Sequence, residues 1–148
     1  MYIKRHMEQL LEQITGQYPV LLVTGPRQVG KTTMLEHLAQ KEGLGRETVT
    51  LDDLAVRELA KTDPKMFFQL HKPPLLIDEV QYAPELFPYI KMMVDSRRQP
   101  GDFWLTGSQL FSMMEGVQES LAGRVALLQL SPLSYGEIME DDNTPPFR

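Results

Sequence analysis

Apolar residues recur along the chain in two rhythms, one helical and one extended. Met7, Leu10, Leu11 and Ile14 fall at i, i+3, i+4 and i+7, which predicts an amphipathic helix over residues 4–15, closed by Gly16 and Pro19. The unbroken run Val20-Leu-Leu-Val23 predicts a buried strand over 20–24, and Met34, Leu35 and Leu38 mark one face of a helix ending near residue 41, before Gly43 and Gly45. A short β-branched strand is predicted over 47–51, then a helical stretch carrying Leu54 and Leu59. Asp63-Pro64 reads as an N-cap followed by proline at the first helical position, opening a short helix through Met66, Phe67 and Leu70. Further along come a strand over 75–77, a helix over 87–94, a strand over 103–106, a helix over 115–122 and a strand over 125–130.

The strands are apolar throughout instead of alternating, the pattern of a parallel sheet covered on both faces. Alternation of strands and helices then predicts a three-layer α/β fold with right-handed crossovers. In such a sheet ligands sit outside the carboxyl ends of the strands, so residues 25–32, Asp78-Glu79 and Thr106-Gly-Ser108 are expected on one edge.

The segment entering the second helix, Gly25-Pro-Arg-Gln-Val-Gly-Lys-Thr32, carries the full G-x-x-x-x-G-K-[ST] pattern of a phosphate-binding loop. Gly25 and Gly30 admit backbone angles that side chains forbid, so that successive N–H groups, those of Pro26's neighbours Arg27, Gln28 and Val29 among them, turn towards phosphate oxygens. Lys31 is placed to reach the β- and γ-phosphates, the Thr32 hydroxyl to ligate Mg²⁺, and Thr33 extends the helix start, whose dipole favours the same anion.

Asp78 and Glu79 close an apolar strand, a costly place for two carboxylates unless they are paired or used. Beside a phosphate-binding loop, the first carboxylate serves the Mg²⁺ shell and the second activates water. Ser108, after the fourth strand, is placed to contact a γ-phosphate or the attacking water; Thr106-Gly-Ser108 also suits a plain turn. Arg124 has two readings: an arginine finger for a neighbouring subunit's phosphate, or an ion pair within its own chain.

Composition narrows the class. A chain of 148 residues suits one domain with a single core, and the absence of cysteine excludes disulfides, thiolate metal sites and cysteine nucleophiles. A net charge of −5 argues against broad nucleic-acid binding, and Lys4-Arg5-His6 and Arg97-Arg98 read as solvated faces. The N-terminus does not read as a signal peptide and no apolar run approaches a membrane span, so a cytoplasmic protein is expected.

The motifs resemble, nearly end to end, the ATPase domain of a prokaryotic AAA-type family: Gly-Pro-Arg-Gln-Val-Gly-Lys-Thr-Thr at 25–33, Leu-Asp-Asp at 51–53, Asp63-Pro64, Ile-Asp-Glu-Val-Gln at 77–81, Ala83-Pro84-Glu85, Leu-Thr-Gly-Ser at 105–108, Glu-Ser-Leu-Ala-Gly-Arg at 119–124 and Leu-Ser-Pro-Leu-Ser at 130–134. The resemblance implies the P-loop NTPase fold with strand order 5-1-4-3-2, binding of ATP or ADP with Mg²⁺, Lys31 and Thr32 as the P-loop pair, Asp78 and Glu79 as the Walker B pair and Ser108 at a sensor-like position. By analogy it also sets Tyr2, Ile3 and Arg5 near the base. In that family a C-terminal domain, often described as nuclease-like, follows; residues 1–138 are therefore expected to form the ATPase domain, and the polar, proline-bearing 139–148 a frayed tail before a missing domain. Mg-dependent ATP hydrolysis is the leading expectation, with homo-oligomerisation left open. A nucleotide-gated binding module with little hydrolysis is the alternative. A small-molecule kinase is disfavoured because no arginine-rich lid is evident, and a GTPase because no Asn-Lys-x-Asp motif occurs.

Overall fold

Short loops carrying Gly, Pro and Asp separate the elements, and those residues set where each begins and ends. The computed structural model describes residues 2–26, 30–108 and 110–130. In chain order these form α1 (Tyr2–Thr15), β1 (Val20–Thr24), α2 (Lys31–Glu42), β2 (Glu47–Thr50), α3 (Leu54–Thr62), α4 (Pro64–Leu70), β3 (Leu75–Asp78), a 3-10 turn (Val80–Tyr82), α5 (Leu86–Arg97), β4 (Phe103–Gly107), α6 (Leu110–Leu121) and β5 (Val125–Gln129).

Helix α2 stops where Gly43 takes a left-handed conformation (φ 69°) and donates its N–H back to Ala39 O. Asp53 caps α3 by accepting from the N–H groups of Ala55 and Val56, at 2.9 and 3.3 Å. Asp63 ends α3 and caps α4, accepting from Met66 N at 3.1 Å with Pro64 at the first helical position. Each such cap contributes about 1 kcal/mol.

All strand pairs are parallel and the order is β2-β3-β4-β1-β5, the expected 5-1-4-3-2 read from the other side. Alternate residues of β1 serve two cores. Val20 and Leu22 join Leu75, Ile77, Phe103 and Leu105 beneath Phe67, Phe87, Ile90, Val117 and Leu121 of α4, α5 and α6. Leu21 and Val23 join Leu76, Trp104 and Leu128 beneath Leu11 of α1 and Met34, Leu35 and Leu38 of α2. A buried side chain of this size contributes about 1.5–3 kcal/mol. The Trp104 ring avoids a stranded donor because its Nε1–H reaches Thr15 Oγ1 at 2.8 Å.

Two sequence expectations change. Full coverage of both faces holds for β1, β3 and β4 at the centre; β2 and β5, at the edges, expose Glu47, Thr48, Leu127 and Gln129 because only one neighbour and part of a helical layer cover them. Helix α6 begins five residues earlier than predicted. Gly116, which propensity sets near a helix end, lies inside it: a Cβ there would meet the Phe87 ring at 2.8 Å, so its bare backbone lets α6 approach α5. The turn Val80–Tyr82 had no helical periodicity to announce it. Among the described residues no helix is long and apolar enough to cross a membrane. Residues 131–148, including the motif at 131–134 and the expected tail, lie outside the described residues.

Candidate functional site

Parallel strands bring their carboxyl ends to one edge, and there the chemistry-bearing residues meet. Gly25 follows β1 with φ 150°, a conformation that favours glycine, and a Cβ on it would lie 2.4 Å from Leu130 O. Its N–H donates to Gly107 O at 3.1 Å, which ties the start of the P-loop to the end of β4. Gly30 (φ 74°) precedes α2 and leads into Lys31 and Thr32 on its first turn. Arg27, Gln28 and Val29 lie outside the described residues, as do the side chains of Tyr2, Ile3 and Arg5 proposed near the base.

Asp78 is the hub. Its Oδ1 accepts from Thr32 Oγ1 at 2.5 Å and from Thr106 Oγ1 at 2.7 Å, and its Oδ2 from Thr50 Oγ1 at 2.8 Å. Hydroxyls from α2, β4 and β2 thus converge on one carboxylate at the end of β3, each a charge-assisted bond. Thr106 Oγ1 also accepts the backbone N–H of Glu79 at 3.0 Å, which fixes the next residue.

Glu79 takes a left-handed conformation (φ 59°, ψ 50°), costly for a residue with a side chain and concentrated in proteins at functional sites. The conformation turns its side chain back over the sheet edge. Its Oε1 accepts from Ser108 Oγ at 2.9 Å and from Gln81 Nε2 at 2.8 Å, and its Oε2 faces Lys31 Nζ at 3.9 Å. Lys31 is buried and not part of an exposed loop: it is 2% exposed, its ammonium folded against Glu79 and donating to Pro26 O at 3.4 Å. A buried ammonium needs an acidic partner and a carbonyl, and both are local.

A cleft of about 190 Å³ opens here, lined by Gly30, Lys31, Thr32, Thr33, Asp52, Asp78 and Glu79. Carboxylate oxygens of Asp52, Asp78 and Glu79 all lie within 4.8 Å of one another. With the Thr32 hydroxyl this is an all-oxygen donor set, the chemistry that suits Mg²⁺, so the residues present fit that ion. Sequence reasoning quoted Asp52 and Gln81 in motifs without giving either a role, and missed Thr50. For Asp52 the signal was available: it follows a strand, β2, and so belongs to the same edge.

Arg124 is placed elsewhere. It precedes β5, its carbonyl accepting from Val20 N at 3.2 Å, at the amino edge of the sheet opposite the P-loop. Its guanidinium forms a two-pronged pair with Asp95, Nε to Oδ1 at 2.7 Å and Nη2 to Oδ2 at 3.1 Å. That hydrogen-bonded pairing holds the Asp95 carboxyl below its ordinary value and raises the Arg124 guanidinium above its own. Of the two readings, the intrachain ion pair is what the structure contains, and Arg124 does not reach its own chain's phosphate edge. A larger cleft of about 460 Å³ also lies at the amino edge, between Arg46, Pro74, Arg97 and Asp102. Its cations are already matched, Arg46 by Glu42 at 2.7 Å and Arg97 by Asp102 at 2.6 Å, and it gathers no reactive constellation.

The chain is 34% identical over 136 residues to uncharacterized proteins of Mycobacterium tuberculosis and Mycobacterium bovis; the match covers 91% of the chain and 30% of each relative, so the chain spans less than a third of their length. Among solved structures it is similar to a Walker-type ATPase of Pyrococcus abyssi (TM-score 0.61, 16% identity, 97% of this chain and 60% of that one). It is also similar to a DNA replication initiation factor (TM-score 0.56, 14% identity, 92% and 49%) and to the RuvB Holliday junction branch migration motor of Thermotoga maritima (TM-score 0.54, 18% identity, 87% and 44%). At these identities the structures establish a shared fold. Residues 17–139, which hold all five strands and the whole phosphate edge, match the AAA domain family model, and the chain belongs to that family of P-loop ATPase domains.

Proposed function

We propose that this domain binds ATP with Mg²⁺ at the carboxyl edge of the sheet and hydrolyses it to ADP and phosphate. The observation that carries the reading is the meeting of Thr32, Asp78, Lys31 and Glu79 around one cleft, with Ser108 bonded to Glu79 behind it, the five coming from three separate strand ends.

On nucleotide entry Lys31 exchanges Glu79 and the Pro26 carbonyl for phosphate oxygens, a stronger set of partners for an ammonium. Thr32 and Asp78 are the residues that would hold Mg²⁺, which when bound supplies positive charge to the phosphates. Glu79, released from Lys31, accepts a proton from the attacking water as its oxygen bonds to the γ-phosphorus and the bond to the β-phosphate oxygen breaks. Ser108, already bonded to Glu79, contributes a hydroxyl to the same locus. Arg124 enters only from a second copy of the chain, because its own phosphate edge lies across the sheet; a homo-oligomer is part of this proposal. So is the operation of the domain inside a longer polypeptide.

Turnover of Mg-ATP by the purified chain, compared with Glu79→Gln, tests the reading. Hydrolysis by the wild type and its loss in the variant, with ATP still bound, is the expected result. Equal, negligible turnover in both with nucleotide bound would leave a nucleotide-gated binding module instead.

A further inference from the structure

Gln81 is buried, 8% exposed, in the 3-10 turn that follows Glu79, and no step described above uses it. Its Nε2 donates to Glu79 Oε1 at 2.8 Å and to Ser108 Oγ at 3.2 Å, while Ser108 Oγ donates to the same Oε1 at 2.9 Å. The three side chains therefore close a ring. The orientation of the amide follows from chemistry, since its oxygen turned inward would face a carboxylate with no proton between them. The oxygen points away instead, and among the described residues it has no hydrogen-bond partner. Gly107 gives it room: a Cβ there would stand 3.0 Å from that oxygen.

A buried amide with an unmatched oxygen is a poor choice for stability alone, because an apolar side chain of the same length would fill the space without stranding an acceptor. Its two donors, however, hold one oxygen of Glu79 in place and leave Oε2 as the oxygen facing Lys31 and the cleft. The Glu79 backbone is held separately, by Thr106 and by its left-handed conformation, so the side-chain torsions are what remains to be restrained.

We propose that Gln81 is a positioning residue that clamps Glu79 Oε1 to Ser108, so that Glu79 Oε2 is presented to the attacking water when a γ-phosphate occupies the cleft. This rests on the hydrolytic reading given above. When Ser108 turns its hydroxyl towards a γ-phosphate, Glu79 loses one donor and Gln81 keeps the other, so the carboxylate stays in register during the step that uses it.

The test measures ATP turnover, nucleotide affinity and thermal unfolding in the 148-residue chain for the wild type, Glu79→Gln, Ser108→Ala, Gln81→Met, Gln81→Glu and the Gln81→Met/Ser108→Ala pair. Gln81→Met keeps the volume and removes the donors; Gln81→Glu keeps the shape and sets an acceptor against Glu79. Both are expected to lower kcat by about 10–100-fold, the scale of a misplaced reacting group. Affinities for Mg-ADP and for a non-hydrolysable Mg-ATP analogue stay within about threefold, and Gln81→Met unfolds no earlier than the wild type. In the double variant the two losses fail to multiply, because both substitutions open the same ring. Wild-type kcat in Gln81→Met overturns the proposal, as does a parallel loss of nucleotide affinity and stability, which would mark the side chain as structural. Hydrolysis by the wild type that Glu79→Gln abolishes and Gln81→Met does not touch sinks the clamp and spares the hydrolytic reading; no hydrolysis by the wild type sinks both.

Discussion

Thr32 Oγ1 donates to Asp78 Oδ1 across 2.5 Å, joining the first turn of α2 to the end of β3 from 46 positions away in sequence. The bond sets the P-loop helix against the acidic strand end before any ligand arrives. Asp78 also accepts from Thr50 and Thr106, so three hydroxyls depend on it. Asp78→Ala is expected to destabilise the fold by about 1–3 kcal/mol, because the hydroxyls lose a charged acceptor. Asp78→Asn, which keeps one carbonyl oxygen, loses less. Thermal unfolding of the two variants checks the order, and titration with Mg²⁺ at fixed ATP is expected to show weaker metal dependence in both.

Lys31→Ala is expected to abolish Mg-ATP binding, which calorimetry checks, and also to act on the fold. Lys31 and Glu79 are both almost fully buried, and removing the ammonium takes a buried positive partner from the carboxylate. A loss of about 1–3 kcal/mol in the nucleotide-free chain is expected. The double variant Lys31→Ala/Glu79→Gln recovers part of it, since the buried negative charge that Lys31 balanced is gone. An unfolding midpoint equal to the wild type in the single variant would contradict the buried pairing.

Gly25→Ala is expected to cost more than about 2 kcal/mol and to remove nucleotide binding. The new Cβ would sit 2.4 Å from the Leu130 carbonyl, a backbone atom that cannot swing aside, at a φ of 150°. Among the described residues, a Cβ on Gly30 meets nothing within 4 Å, so Gly30→Ala, strained by its positive φ of 74°, is expected to be the milder of the two. Denaturant titration ranks them.

The Arg124–Asp95 pair has a defined pH window. The hydrogen bond from Arg124 is the main force lowering the Asp95 carboxyl from 3.8, aided by the charges of Arg124, Lys91 and Arg98 and opposed by burial. A carboxyl lowered in the folded state stabilises it above the unfolded value, and that contribution disappears as pH falls through the folded one. The difference in unfolding midpoint between wild type and Asp95→Asn is therefore present at pH 6, absent well below 3.8 and smaller in high salt, since both side chains are partly exposed.

Arg124→Ala leaves nucleotide affinity unchanged, because Arg124 stands at the far edge of the sheet from its own P-loop. If copies of the chain associate as proposed, turnover per chain rises with protein concentration in the wild type and stays flat in the variant. Turnover that rises equally in both assigns Arg124 to the intrachain pair alone.

Local pattern carried the elements whose cause is local. The Gly25 to Thr32 spacing, the apolar β1 and β3 runs and the Asp63-Pro64 cap each depend on residues within one turn or one strand, and all were legible. Gly116 had no local explanation because the reason for it is Phe87, 29 positions earlier and on another helix. The 3-10 turn at Val80–Tyr82 was silent because three residues show no period, and its start depends on Glu79 taking a left-handed conformation that its neighbours impose.

The sequence by itself determined the P-loop, the parallel α/β architecture and the edge on which Asp78, Glu79 and Ser108 would gather, since the last follows from strand direction alone. Which atoms meet was decided only by the tertiary structure. Thr50 and Thr106 on Asp78, the burial of Lys31 and the remoteness of Arg124 depend on strand order and side-chain reach between elements, and Gln81 on Glu79 depends on the left-handed turn between them. Those contacts span 2 to 28 positions in the hydroxyl and amide pairs, and no periodicity along the chain encodes a hydrogen bond between the ends of two strands.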